Sequence, residues 1–388
     1  MSHGALHIID SRTSREYEIP IRRNTVLATD LKQIKASPLG RDRRDKVGDG
    51  LRVKDPGLKN TAVVTTNMTY TDGHRGLLLF RGYALPQLWQ AEFEDMLHLL
   101  VNGKYPTPSQ RKHLDLKLAT LMSTTPEAVA EVIEAFPPTS PPMPMIVAGL
   151  SAYLAAHADS VPACAGHNIY HGNIEQTLVA IIRTAAAYAV VMGMIASHFN
   201  GMAFTPATTD NTYFENLFIM MGLVEKYTER PDPVVLSCFR LFAALNSEHG
   251  MALSSFAMVV TASSLTDPIS GLISSLVAAY GPLHFGAPEA EYKTIQAVGS
   301  VDQVPAFLEN VKSGKRRLFG YGHRTYTTPD PRVKPIKDML FKELDLDDDP
   351  LVKVARRIDR LSSADEYFIK RKLHANADFY GTFFFRRL

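Results

Sequence analysis

Four times this chain places Asp-Pro directly ahead of an apolar run: Asp232-Pro233, Asp267-Pro268, Asp330-Pro331 and Asp349-Pro350. An aspartate that accepts the first unpaired backbone N–H groups, followed by a proline with no N–H to leave unpaired, starts a helix. Gly281, Gly299 and Gly314 fall where such helices must stop. Thr107-Pro108 with Gln110 adds a capping box, and Thr125-Pro126-Glu127 begins a further helix. The run PPTSPP makes a rigid corner before an apolar helix over about residues 145–157. Leu85, Leu88, Trp89, Phe93, Met96, Leu97 and Leu100 follow the spacing of one buried helical face, which Asn102-Gly103 closes. β-branched and aromatic residues with turn signals are confined to residues 6–27, which suit a short hairpin. Residues 37–57 read as a charged, Gly-rich surface loop. No internal repeat is evident, and the fold class is mostly α.

Several functional classes fall away. Lys+Arg 42 against Asp+Glu 40 leaves a formal charge of +2, so no global field argues for nucleic acid. Two cysteines, Cys164 and Cys238, are too few for a disulfide framework, and two free buried thiols are expected. The most apolar window, Thr177 to Phe199, is interrupted by Arg183 and reads as a buried helix rather than a membrane span. The N-terminus carries neither the apolar core of a secretory signal nor a transit helix, so a cytoplasmic location is expected.

Three histidines lie beside glycine: His249 in SEHGMALSS, His284 in YGPLHFGAPEA and His323 in LFGYGHRTY. Glycine there permits the close backbone approach that a ligand-facing turn requires. Taken singly, each is more often a structural histidine than a catalytic one, and only the three turns together make a ligand-facing role as good a reading. Arg332 follows the Asp330 cap by two residues, which puts it in a first helical turn, a good carboxylate or phosphate site. Asp378, in HANADFYG beside Phe379 and Tyr380, is either a simple N-cap or a base with a raised pKa. The histidines lack ligand spacing, and no metal is implied.

At these residues the chain closely resembles the type II citrate synthase family. GPLHFGA, FGYGHRTYTTPDPR and EYFIKRKLHANADFYG are similar to that family's GPLHGGAN, GFGHRVYKxxDPR and PYFIEKKLxPNVDFYSG. RGLLLFRGYALPQLWQ resembles GxLRYRGYPIEELA and LLVNGKYPTPSQ resembles LLLNGELPT, so the similarity runs from about residue 50 to the last.

The resemblance implies a large helical domain, residues 1–279 with 377–388, and a smaller CoA-binding domain, residues 280–376, with the active site in the cleft between them. It implies an acyltransferase that condenses an acyl-CoA with oxaloacetate and hydrolyses the thioester, releasing CoA and citrate or an alkylcitrate. Asp378 would remove the α-proton, His284 would donate to the enol oxygen, and His323 would polarise the oxaloacetate carbonyl. His249 and Arg332 would hold the carboxylates, and Arg316, Arg317, Leu318, Phe319 and Gly320 would contact CoA. Acyl-CoA is then a substrate, with no permanently bound cofactor, and the partner is a second copy in a homodimer. The reverse reaction, a CoA-ester lyase, and a catalytically silent homologue are the alternatives.

The chain departs from the family pattern in three places. GPLHGGAN becomes GPLHFGAP, with Phe285 after the histidine and Pro288 in place of an amide, and HGMNAS becomes HGMALS, with Ala252 in place of asparagine. These changes beside the reacting centre point to an acyl-CoA other than acetyl-CoA, as in the fungal citrate-synthase-like enzymes that make alkylcitrates for secondary metabolism. Only ten residues follow Asp378, ending GTFFFRRL. The family continues with helices that supply two more arginines, so the chain is expected to be C-terminally short. Its three phenylalanines are expected to leave an apolar patch; Arg386 and Arg387 are the candidates to stand in for the arginines, though nothing in the sequence shows that they do.

Overall fold

The computed structural model describes residues 4–37, 47–58, 60–281, 284 and 286–388. They divide into two compact units, Met1–Thr66 and Asn67–Leu388. In the first, strands Gly4–Asp10 and Arg15–Ile21 pair antiparallel, with Gly4 opposite Ile21 and Asp10 opposite Arg15. The buried Asp10 carboxylate closes the turn by accepting from the backbone and guanidinium of Arg12. The paired strands end at Ile21 rather than near residue 27, with only the isolated bridge of Arg22 and Thr25 beyond them before the 3-10 turn Ala28–Gln33. Of the expected polar loop, residues 38–46 lie outside the described residues, and Val47–Asp49 forms a short 3-10 turn.

The second unit is helical, with one small antiparallel sheet of Thr69–Asp72, Leu77–Phe80 and Tyr83–Ala84. Strands this short give too little alternation to be read from sequence. Most helices begin where the caps direct. Thr107 and Gln110 exchange capping-box bonds ahead of Pro108–Ser123. Asp232, Asp267 and Asp349 each accept backbone N–H groups at the starts of Pro233–Asn246, Pro268–Ala279 and Pro350–Ala364.

Three local expectations need correction. The apolar run from Leu85 is not one helix: Leu85–Gln87 is a 3-10 turn, and the helix Phe93–Asn102 starts afresh at Glu92. There Asp95 accepts from the Glu92 N–H at 3.0 Å, and Trp89 stays exposed. Pro126 rather than Thr125 precedes helix Glu127–Glu134, because the Thr125 hydroxyl donates back to the Met122 carbonyl. Asp330 does not open a helix at Pro331. Helix Val333–Asp338 begins after Arg332, and Asp330 is committed elsewhere.

Helix Ile174–Phe199 is long and apolar enough to cross a membrane, but half of its most apolar window is buried in protein. One side packs with Leu114, Leu118, Phe214 and Phe218, and another with Ile133, Leu150 and Ile269. A further core gathers Ile295, Leu318, Ile336 and Ile358 around Phe379, Tyr380, Phe383 and Phe384 of helix Ala377–Arg387. Of the three consecutive phenylalanines, only Phe385 is exposed, since the helical repeat turns its two predecessors inward. Cys238 is buried, but Cys164 is exposed, against the expectation of two buried thiols; both are free.

Candidate active site

The turn carrying His323 and the start of helix Ala377–Arg387 are bound to each other by backbone. Tyr321 and Ala375 form an isolated antiparallel bridge. The Gly322 N–H donates to the His374 carbonyl and the Asn376 N–H to the Gly320 carbonyl, both at 2.8 Å. Asn376 adds two side-chain bonds: its amide N donates to the Gly322 carbonyl at 3.0 Å, and its amide oxygen caps the helix by accepting from Asp378 N–H. Asn376 is thus the N-cap, which leaves Asp378 in the first turn with its carboxylate available for other work.

Asp378 reaches solvent, yet it is sunk among protein groups. Burial pushes its carboxyl above the ordinary aspartate range, with the Arg332 charge opposing and the Asp330 charge reinforcing the rise. His323 and His284 also act on it electrostatically. Expected from sequence to lie near one another, Asp378, His284, His323 and Arg332 are one coupled cluster.

The histidine tautomers follow from their partners. The Nδ1 of His323 faces the backbone N–H groups of Thr325 and Tyr326 at 3.0 and 3.3 Å. Both are obligate donors, so Nδ1 accepts and the neutral ring carries its hydrogen on Nε2. Burial lowers the His323 pKa and keeps the ring neutral. The ring of His249 stands edge-on to His323 at 4.9 Å, with its Nε2 3.0 Å from the Tyr326 hydroxyl. Burial, helped by the Arg332 charge, pushes His249 down to about 4. His284 sits in the turn after Pro268–Ala279, its N–H bonded to the Gly281 carbonyl and its Nε2 3.0 Å from the Ser254 hydroxyl. Phe285, expected to reshape the acyl pocket, lies outside the described residues.

Arg332 is buried, and its guanidinium folds back on Asp330, with Nε at 3.0 Å and Nη2 at 2.7 Å from the two carboxylate oxygens. Its Nη1 donates to Asn246 at 3.2 Å. It is at the N-cap rather than inside the first turn, and Asp330 rather than a helix terminus sets its direction. Burial would raise the Asp330 carboxyl, but the Arg332 guanidinium outweighs it and holds the group below its usual range. Asp330 also accepts from Ala377 N–H at 3.2 Å, so it ties Arg332 to the Asp378 helix. Sequence reasoning took Asp330 for a cap and passed over Asn376, Ser254 and Tyr326. The clue to Asp330 was the charged residue two places on, which competes for the carboxylate with backbone N–H groups.

Of the stretch expected to meet CoA, Arg316, Arg317 and Phe319 line a cavity of about 480 Å³ together with Lys293, Gln303 and Asn310. The Arg317 guanidinium lies 4.8 Å from the Phe319 ring centroid. Leu318 is instead buried in the core and does not line this space. Gly320 adopts φ +68° against Glu291. Cations beside an aromatic ring in a polar hollow suit a phosphorylated nucleotide. Arg386 does not reach toward the site; it pairs with Asp349 at 2.8 Å. Ala252, where the family has asparagine, begins helix Leu253–Ala262 with no side-chain cap.

Comparison with known proteins agrees with this geometry. The family described as "Citrate synthase, C-terminal domain" matches residues 57–388. Alkylcitrate synthase phiJ of Fungal sp. (strain ATCC 74256) is 50% identical, with 99% of this chain and 84% of the relative covered. Alkylcitrate synthase tstJ of Talaromyces stipitatus is 47% identical over 100% of this chain and 85% of its own length. Among solved structures, citrate synthase from Pyrobaculum aerophilum superposes with a TM-score of 0.77 at 24% identity, over 86% of this chain and 82% of that one, a likeness of fold.

Proposed function

This chain belongs to the citrate synthase family, and from that premise we propose that it condenses an acyl-CoA with oxaloacetate and hydrolyses the product thioester to an alkylcitrate and CoA. Acyl-CoA is consumed as a substrate, and the reaction needs no resident cofactor.

The observation that carries the reading is that the Asp378 helix is tied by backbone to the His323 turn and through Asp330 to Arg332, with His284 in electrostatic range of the Asp378 carboxyl. The α-carbon of a thioester is a weak acid, so the reaction requires a base short of water and a donor at the enolate oxygen. Asp378, raised by burial, takes the α-proton. Where the Ser254 hydroxyl, 3.0 Å away, donates to Nε2, His284 carries its hydrogen on Nδ1 and can offer it to the enolate oxygen. The enol carbon then attacks the oxaloacetate carbonyl carbon, whose oxygen gains charge and meets the Nε2–H of His323. A neutral imidazole suits both steps, because its proton affinity lies nearer that of the oxygen it serves. His249 and Arg332 receive the carboxylates. Water finally cleaves the thioester and releases CoA, whose nucleotide end lies against Arg316, Arg317 and Phe319.

A two-lobe division at residues 280 and 376 would part His323 from Asp378, whereas backbone bonds join the turn of one to the helix of the other, so any closure would carry these two together. The exposed apolar residues Leu253, Val260, Val277 and Tyr280, on the adjacent helices Leu253–Ala262 and Pro268–Ala279, favour a homodimer. The alkylcitrate synthase relatives favour an acyl chain longer than acetyl.

The experiment is free-thiol release from acetyl-, propionyl-, hexanoyl- and octanoyl-CoA, each with and without oxaloacetate, with Asp378→Asn as control. Oxaloacetate-dependent release that the substitution abolishes is expected, with a preference beyond acetyl-CoA. Silence across the panel from a folded protein refutes the reading.

A further inference from the structure

Glu291 has no part in the chemistry above, yet the fold buries it beside Asp378. Its side chain is 1% exposed, and neither carboxyl oxygen meets a hydrogen-bond partner among the described residues. A carboxylate in that position would forfeit its hydration without compensation, so the group keeps its proton. Helices Ala377–Arg387 and Pro350–Ala364 and the turn at Gly320 pack around its helix, Gly286–Val298. These elements bring Asp378, Tyr380 and Asp359. The Tyr380 hydroxyl donates to Asp359, which also holds Lys337. Lys353 and Arg356 turn to Asp348 and Asp347, and on its own helix Lys293 pairs with the exposed Glu289. After burial, the charge that bears on Glu291 is that of Asp378, and both raise its carboxyl.

Contact with the site is also direct on the other side. A Cβ placed on Gly320 would lie 2.7 Å from the Glu291 carboxyl carbon, so the acid rests against the backbone of the turn that leads to His323. Of two neighbouring carboxyls, the fully buried one keeps its proton and the one that reaches solvent and a cation takes the charge. Asp378 has Arg332; Glu291 has none.

Resting on the assignment of Asp378 as the base, we infer that Glu291 is a positioning residue, a neutral carboxylic acid that leaves the charge to Asp378 and supports the Gly320–His323 turn. When Glu291 loses its proton at alkaline pH, two anions face each other. Glu291 then gains water by pushing off Gly320, and the turn that orients His323 moves with it. Turnover is therefore lost with that ionisation.

Two readouts test this on the full chain. Infrared spectroscopy at pH 7 shows C=O absorption of protonated carboxylic acids, to which the buried Glu94, pushed up to about 7, also contributes, and the band belonging to Glu291 is the part lost in Glu291→Gln. The pH profile of kcat for oxaloacetate-dependent thiol release shows an alkaline limb that Glu291→Gln removes or moves up by at least ~1 pH unit, a tenfold change in proton affinity, and that Glu291→Asp retains. If Glu291→Gln does not fold, Glu291→Met, of similar length and unable to ionise, takes its place. Survival of the full infrared absorption, or a profile that superimposes on the unsubstituted enzyme, overturns the inference. Asp378→Asn, run alongside, separates the two failures: release persisting in that protein sinks the base assignment, whereas a dead Asp378→Asn with an unchanged Glu291→Gln profile sinks this inference alone.

Discussion

Gly320→Ala tests the packing that holds the His323 turn. Gly320 sits at φ +68°, where an alanine costs about 1–2 kcal/mol relative to its preferred backbone. The added methyl would overlap the Glu291 carboxyl, 2.7 Å from its carbon. Glu291 is 1% exposed and has nowhere to swing, so overpacking adds about 1–3 kcal/mol. The total is about 2–5 kcal/mol, read from the shift of the urea unfolding midpoint at unchanged slope. A double-mutant cycle divides it. Glu291→Ala removes the atoms the methyl would strike, so the steric part vanishes while the backbone part stays. The double variant should be less destabilised than the sum of the singles by about 1–3 kcal/mol. Additivity within about 0.5 kcal/mol would refute the claimed contact between Gly320 and Glu291.

Asn376→Ala removes a helix cap and a bond to the Gly322 carbonyl together; a loss of about 1.5–3 kcal/mol is expected in chemical denaturation, with kcat falling more than KM rises. Asp330→Ala strands the buried Arg332 and the Ala377 N–H, at a cost of about 3–5 kcal/mol. Because Arg332 holds the Asp330 carboxyl low, its stabilisation is present above the unfolded pKa near ~4 and lost as pH falls through the folded value; acid-unfolding curves of the two proteins should therefore converge at low pH. The acid limb of kcat/KM should belong to Asp378, whose carboxyl is raised, and not to His249, pushed down to about 4, or His323, also lowered; a limb that survives in a weakly active Asp378→Glu protein unmoved would count against this.

Helix starts were legible where the chemistry is local. Thr107, Asp232, Asp267 and Asp349 satisfy backbone groups two or three residues away, so a short window contains the whole cause. Asp330 carries the same signature but was taken by Arg332 and by Ala377, 47 residues on, which no window contains. Trp89 and Phe385 kept helical spacing yet stayed exposed, because spacing defines a face without saying what covers it. The site residues were recognisable from motif strings. Their protonation states were not, since those depend on partners such as Thr325 N–H and on burial by distant elements. Glu291 gave no signal at all: between Glu289 and Lys293 it reads as a solvated face.

The backbone bridge between Tyr321 and Ala375, with its flanking bonds, makes His323 and Asp378, proposed to polarise the carbonyl and to abstract the proton, a single mechanical part. His284 belongs to a different anchorage, fixed through Ser254. Mutation can therefore alter the wall around the thioester's tail while the distance between the other two groups stays inherited. A lineage with this division of labour can shop among chain lengths without having to rediscover how to make the carbon–carbon bond.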